Sequence, residues 1–146
     1  MKGLELFCGI GGFAAAVAGS PLRVVAALDQ DPLALEIYRH NFPGHWARRV
    51  DLARITPLEL ASYGADFWWL SPPCQPYTER GNRLDLEDHR ADSLLNLMGA
   101  MEGMTDATLP RHLALENVAG FGDSRARQLL LEVLARLGYG VQERLL

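Results

Sequence analysis

An open, mostly parallel α/β sheet with helices on both faces is the fold class this sequence predicts, and three observations predict it. Short apolar runs alternate with segments of helical period, the pattern that builds parallel sheets through crossover connections. A glycine-rich turn, Gly9 to Gly12, follows the first apolar run and opens a helix. Polar residues with chemistry to offer then fall one after another where each strand should end, and ligands in such sheets bind beyond the carboxyl ends of the strands.

The elements follow in order. Leu4 to Phe7 reads as the first strand, and the glycine turn leads into a helix near Phe13 to Ala18. Arg23 to Leu28 is a second strand ending at Asp29. Asp31 then reads as an N-cap with Pro32 in the first helical position, starting a helix that runs to about Asn41. A third strand spans Trp46 to Val50 and ends at Asp51. Thr56-Pro57-Leu58-Glu59 has the form of a capping box, so a brief helix follows. Asp66 to Leu70 is a fourth, buried strand that stops at Ser71-Pro72-Pro73. Residues 74–92 form the longest irregular and most charged stretch, and a loop of that length inside a compact domain is usually functional. Ser93 to about Met104 is helical, His112 to Leu115 is a fifth strand, and Asp123 to Leu137 is a helix closed by Gly138. Tyr139 to Leu146 reads as a sixth strand.

Composition narrows the class. With 146 residues, 49% of them hydrophobic, the chain fits one domain spanning 1–146 that buries roughly 68% of its unfolded surface. Cys8 and Cys74 stand apart with no CxxC pair and no histidine at ligand spacing, so neither a disulfide framework nor a metal site is expected. A reduced, cytoplasmic protein is the expectation. Lys2, an apolar stretch and Ala16-Val17-Ala18 imitate a secretory signal, but Glu5 and the glycines interrupt it, and no segment suits a membrane helix. The net charge of −4 argues against coating nucleic acid by bulk electrostatics and leaves room for a local basic patch. Thirteen of the fourteen cations are arginine, a bias that genome composition explains as readily as phosphate binding.

At the strand ends, Gly9-x-Gly11-x-x-Ala14 followed by Asp29 matches a dinucleotide fingerprint. By itself this says only that a nucleoside-bearing ligand lies across the first strands with Asp29 on its ribose; NAD and S-adenosylmethionine both qualify. Pro72-Pro73-Cys74-Gln75-Pro76 and Leu115-Glu116-Asn117-Val118 separate the two. The prolines fix the direction in which Cys74 points, and Arg80, Arg83 and Arg90 in the same loop would favour its thiolate. A nucleophilic thiol, a carboxyl group at Glu116 and a nucleoside cofactor form a constellation for covalent catalysis, which hydride transfer does not need.

These residues closely resemble those of the cytosine-C5 methyltransferases. FCGIGG (Phe7 to Gly12), Asp29, Asp51, SPPCQP (Ser71 to Pro76) and ENV (Glu116 to Val118) stand in that family's order and cover nearly the whole chain. The resemblance implies a Rossmann-like methyltransferase sheet with S-adenosylmethionine as cofactor. Phe7, Cys8, Gly9, Ile10, Gly11 and Gly12 would cradle its methionine part and Asp29 its ribose, with Gln30, Asp51 and Leu52 beside its adenine and Ser71 and Pro73 on the facing loop. Cys74 would be the nucleophile that adds to cytosine C6, and Glu116 the acid at N3. The base, from DNA or tRNA, would have to be flipped out of a duplex or presented in a loop. Glu5 in LELF, Ser93 in DHRADSLL, ENVAGF and YGVQERLL resemble the branch that methylates transfer RNA.

Two departures accompany the resemblance. Gln30 stands where many relatives carry an apolar or aromatic residue. The family's seventh strand, arginine-bearing motif and target-recognition region have no counterpart, so the chain resembles the front portion of an enzyme. Self-association or a complementary C-terminal chain is therefore expected. A cofactor- or nucleic-acid-binding module without chemistry of its own is the competing reading, and an oxidoreductase on the same fold a distant third.

Overall fold

The computed structural model describes residues 1–77 and 85–145. Five strands form one parallel sheet: β1 (Lys2–Leu6), β2 (Arg23–Asp29), β3 (Ala47–Arg49), β4 (Phe67–Leu70) and β5 (His112–Leu115), in the order β3-β2-β1-β4-β5. The chain builds outward from β1 through β2 to β3, then crosses to the other side of β1 for β4 and β5. The reversal lies between β1 and β4, and the crevice at such a switch point is where open α/β sheets bind ligands.

Alternation along the strands divides the core between the two faces. Leu4, Leu6, Leu28, Trp68 and Leu70 pack with Leu94, Leu97 and Met101 of α4 (Asp92–Glu102) and with Leu130, Val133 and Leu134 of α5 (Arg125–Arg136). On the opposite face, Cys8, Val24 and Ala27 pack with Ala14 of α1 (Gly12–Ala16) and Leu35 and Tyr38 of α2 (Pro32–Asn41).

Helix starts follow the local chemistry of the sequence. Asp31 Oδ1 accepts from Leu33 N (2.9 Å), Thr56 Oγ1 from Glu59 N (3.2 Å) at the start of α3 (Pro57–Ser62), and Ser124 Oγ from Arg127 N (3.0 Å). Glu59 turns its carboxylate toward Arg48 (3.4 Å) and accepts from Tyr63 (3.2 Å), so tertiary partners claim the second half of the expected capping box. The last helix begins at Arg125 because the preceding Ala119–Asp123 segment is a tight 3-10 turn. Phe7 falls outside β1, in the left-handed region at φ 57°.

The expected sixth strand does not form over 139–145. Tyr139 N donates to Leu134 O (2.9 Å), completing a Schellman closure around Gly138 at φ 80°. Tyr139 Oη donates to Pro110 O (2.5 Å), and Glu143 pairs with Arg127 of α5 (2.7 and 2.5 Å). These contacts hold the tail against α5 with residues 140–145 exposed, and the outer edge of β5 has no strand beside it among the described residues. No helix among them is long and apolar enough to cross a membrane.

Candidate active site

The parallel ladder carries past the strand ends and aligns the candidate residues. Cys8 N donates to Leu28 O (3.0 Å), Val50 N to Asp29 O (2.8 Å), Ser71 N to Leu6 O (3.3 Å) and Glu116 N to Leu70 O (2.9 Å). The segments leaving all five strands are thus tied to one carboxyl edge, with Glu116 beside the segment that carries Cys74.

The glycine turn is held from below and behind. Gly9 and Gly11 take positive φ (51° and 97°), and a Cβ on Gly11 would collide with the Phe42 ring. Asp29 Oδ2 accepts from Gly9 N (2.8 Å) and Oδ1 from Asp31 N (2.9 Å), so one carboxylate fixes both the turn and the start of α2. Beneath the turn, Glu5 is 1% exposed. Burial raises its pKa to about 7, against hydrogen bonds from Tyr38 and from the Ala14 and Phe13 amides that act in the other direction. Tyr38 Oη donates to Glu5 (3.0 Å) and lies 3.1 Å from His45 Nδ1.

A cavity of about 390 Å³ opens at the switch point, lined by Phe7, Gly9, Asp29, Gln30, Asp31, Leu52, Ser71, Pro73, Gln75 and Ser93. Seven of these belong to the expected cofactor set. Cys8, Ile10, Gly11, Gly12 and Asp51 do not line it. Cys8 is buried with its thiol pushed well above the ordinary range, first by desolvation and then by Asp29 and Glu5. Ile10 is 56% exposed, and Asp51 Oδ1 accepts from Ala53 N (3.0 Å), closing its own turn. Gln30 lines the cavity while its carbonyl accepts from Arg49 Nε (3.1 Å).

Sequence reasoning did not assign Asp31, Gln75 or Asn96 to this site. Asn96 Nδ2 donates to Leu52 O (2.9 Å) and Ile55 O (3.1 Å), tying the wall near Leu52 to α4. Nothing local marks a mid-helix asparagine for that task; only the packing of α4 over the sheet reveals it.

Cys74 is half-buried, and its neighbours Pro73 and Gln75 both line the cavity. Its carbonyl accepts from Tyr77 N (2.9 Å), starting a 3-10 turn. Asn117 Nδ2 donates to Pro72 O (3.2 Å), and Val118 N donates to Asn117 Oδ1 (2.9 Å), so ENV is fastened to SPPC by a side chain whose two ends are both used. A Cβ at Gly120 would run into the Tyr77 carbonyl, and Phe121 meets the Tyr77 ring edge-on. Glu116 itself is exposed.

One member of the expected arginine cluster falls among the described residues. Arg80 and Arg83 lie outside the described residues. Arg90 donates to Asp88 through Nε (2.8 Å) and Nη2 (2.6 Å), and these bonds hold the Asp88 carboxyl down at about 2. Arg90 is thus ion-paired with Asp88 and also lies within electrostatic reach of Cys74.

The family model for C-5 cytosine-specific DNA methylase matches residues 1–146. The chain belongs to that family. It is 36% identical over its full length to the tRNA (cytosine(38)-C(5))-methyltransferases of Schizosaccharomyces pombe and Homo sapiens, of which it spans 44% and 37%. The crystal structure of S. pombe Dnmt2 methyltransferase superposes with a TM-score of 0.81 at 32% identity, covering 96% of this chain and 41% of that one. The shared fold is the methyltransferase form of the parallel sheet, and the resemblance to the cytosine-C5 family holds.

Proposed function

We propose that residues 1–146 are a single, partial S-adenosylmethionine-dependent domain, and that it contributes the cofactor site and nucleophile for methylating C5 of cytosine in transfer RNA. The observation that carries this reading is the course of the cavity. It runs from Asp29 and Leu52 at one end to Pro73 and Gln75 at the other, so a nucleoside cofactor lying along it would end beside Cys74. The transfer-RNA assignment draws on the activity for which the two relatives are named.

The residues fit the cofactor. Each oxygen of Asp29 accepts one backbone amide, and a carboxylate oxygen has two lone pairs, which leaves one on each for the ribose hydroxyls. Leu52 and Phe7 offer apolar walls, and the cavity's size lies within the range of cofactor sites. When bound, S-adenosylmethionine supplies an electrophilic methyl group on sulfonium.

Cys74 adds through sulfur to cytosine C6, converting C5 from a poor nucleophile into an enamine-like carbon. Glu116, as the carboxylic acid, donates its proton to N3 and so neutralises the negative charge that addition pushes there. C5 would then take the methyl group as its bond to the sulfonium sulfur breaks. The C5 proton passes to water, N3 returns its proton to Glu116, Cys74 leaves as thiolate and aromaticity returns. Asn117 keeps Glu116 and Cys74 in register throughout. Because the chain spans less than half of these relatives and the β5 edge is open, turnover is proposed to need a complementary C-terminal portion, in the same chain or a second one. Self-association through the open edge is the other arrangement this reading allows.

The test is transfer of labelled methyl from S-adenosylmethionine to tRNA and to duplex DNA, with and without a complementary C-terminal fragment. Methylated tRNA is expected, together with a covalent adduct on 5-fluorocytosine RNA that Cys74→Ser abolishes while cofactor binding survives. Methyl transfer confined to DNA would overturn the substrate, and full turnover by Cys74→Ser would overturn the nucleophile.

A further inference from the structure

We infer that the outer edge of the sheet at β3 is a docking surface for a single-stranded stretch of RNA, with an unstacked base on Trp46 and phosphates on the surrounding arginines. The inference rests on the nucleic-acid reading above and adds a contact site away from Cys74.

Charge is the first observation. The chain carries a net charge of −4, yet residues 39–54 hold Arg39, His40, His45, Arg48, Arg49 and Arg54 against one acid, Asp51. The fold gathers much of this stretch at one place, because β3 is the terminal strand of the sheet. Arg39 reaches over the edge from α2, donating from Nε (3.3 Å) and Nη2 (3.0 Å) to Ala47 O. Arg49 donates to Gln30 O. Carbonyl acceptors orient these guanidinium groups without neutralising them, and among the described residues neither arginine is in an ion pair.

The second observation is aromatic. Trp46 is 55% exposed, and it is the only aromatic among the large hydrophobic residues that the described structure leaves exposed. It is braced: Arg48 Cζ lies 5.1 Å from the ring centroid, Tyr63 packs at 5.6 Å with the planes tilted by 56°, and Arg48 donates to Tyr63 Oη at 2.8 Å. Arg48 shares its charge with Glu59 (3.4 Å) and serves to brace the ring, which leaves Arg39 and Arg49 as the arginines for phosphate. An exposed, braced indole with such arginines nearby is the arrangement that binds single strands, since a base stacks on the ring while the backbone follows the charge. A duplex keeps its bases stacked on each other and has little use for the indole.

Geometry links the surface to the proposed site. Gln30, whose carbonyl orients Arg49, lines the cavity, as does Leu52 just past β3. Three strand spacings, about 14 Å, separate β3 from β4. That is about four nucleotide steps at the 3.4 Å stacked rise, so a folded RNA presenting a loop base at Cys74 has neighbouring nucleotides within reach of Trp46.

Fluorescence anisotropy with a labelled single-stranded RNA oligonucleotide, titrated across salt concentrations, tests the surface. Trp46→Ala should weaken binding by about fivefold or more and Trp46→Phe should retain most of it. Arg39→Gln combined with Arg49→Gln should lower the slope of log affinity against log salt by about 1.4. All are surface changes whose unfolding curves should match the wild type. Unchanged affinity and slope in folded variants would overturn the surface alone, as would duplex DNA competing better than the oligonucleotide. Wild-type chain that binds no nucleic acid would overturn this inference and the nucleic-acid reading together. Cys74→Ser should bind RNA like the wild type, which separates a failure of the chemistry from a failure of docking.

Discussion

On the β1–β2 side of the carboxyl edge, nearly every polar group is closed into a network and both faces of the sheet are covered. Asp29 holds two amides, Tyr38 holds Glu5, and α1 and α2 bury Cys8, Val24 and Ala27. On the β4–β5 side, α4 and α5 cover one face. On the other, Phe67 and Trp69 stay half-buried with Phe13 stacked against them. Cys74 is half-buried, Glu116 is exposed and β5 has no strand on its outer edge among the described residues. The two cysteines show the same contrast: Cys8 is locked as a thiol by its surroundings, whereas Cys74 can be reached. A small cofactor profits from a prebuilt site. The nucleophile proposed at Cys74 has to meet a base delivered by a macromolecule and needs open approach, and the Asn117–Pro72 hydrogen bond holds its loop against the neighbouring strand.

The largest effect should come from cutting the network where it is densest. Asp29→Ala leaves the Gly9 and Asp31 amides without their acceptor and removes the carboxylate proposed for the ribose. Cofactor affinity should fall at least about tenfold, with about 1–3 kcal/mol lost from stability. Calorimetric titration with unchanged affinity in a folded variant would show that the turn does not depend on this residue and would break the contrast.

A second effect is a pH dependence confined to the dense side. Glu5 titrates at about 7 in the folded chain against 4.5 for the free group, so the folded state binds the proton more tightly. The stability this contributes is complete below pH 4.5 and is lost as pH rises through about 7. The slope within that window reaches at most about 1.4 kcal/mol per pH unit. Glu5→Gln keeps an acceptor for Tyr38 and should flatten this part of the profile. Urea unfolding across the window checks it, and an equally steep slope in Glu5→Gln would assign the titration to another group.

The smallest effect belongs to the open side. Asn117→Ala should cost about 1 kcal/mol or less of stability, because the side chain is only part-buried and water can replace it. It should nevertheless lower kcat of the complemented enzyme with little change in cofactor KM, since it frees Glu116 from the Cys74 loop. Equal losses in both constants would mean that the clamp serves the whole edge and that the two sides are not independent.

Much of this was legible in the chain. Asp31 and Thr56 mark helix starts through side-chain bonds to amides two or three residues away, and Gly138 marks a stop, because those preferences act within a few residues. The same locality explains how the glycine turn and the order of candidates along the strand ends could be read. The sixth strand could not be judged in this way. Tyr139 to Leu146 has the composition of a strand, but a strand exists only with a partner, and the closure at Tyr139 and the pair Glu143–Arg127 draw the tail to α5 instead.

The sequence alone determined five of the six strands it offered, their connecting helices and which residues stand at the ends. Tertiary structure decided the strand order, and with it that Glu116, 42 positions after Cys74, leaves the strand beside the one that leads to Cys74, while Asp51 lies on the far side of Asp29. It also decided that Glu5 is buried with a tyrosine partner and that Asn96 supports a cavity wall. These facts concern contacts between residues far apart in the chain. Their energies depend on what else is packed nearby, and no local preference of the residues themselves encodes that.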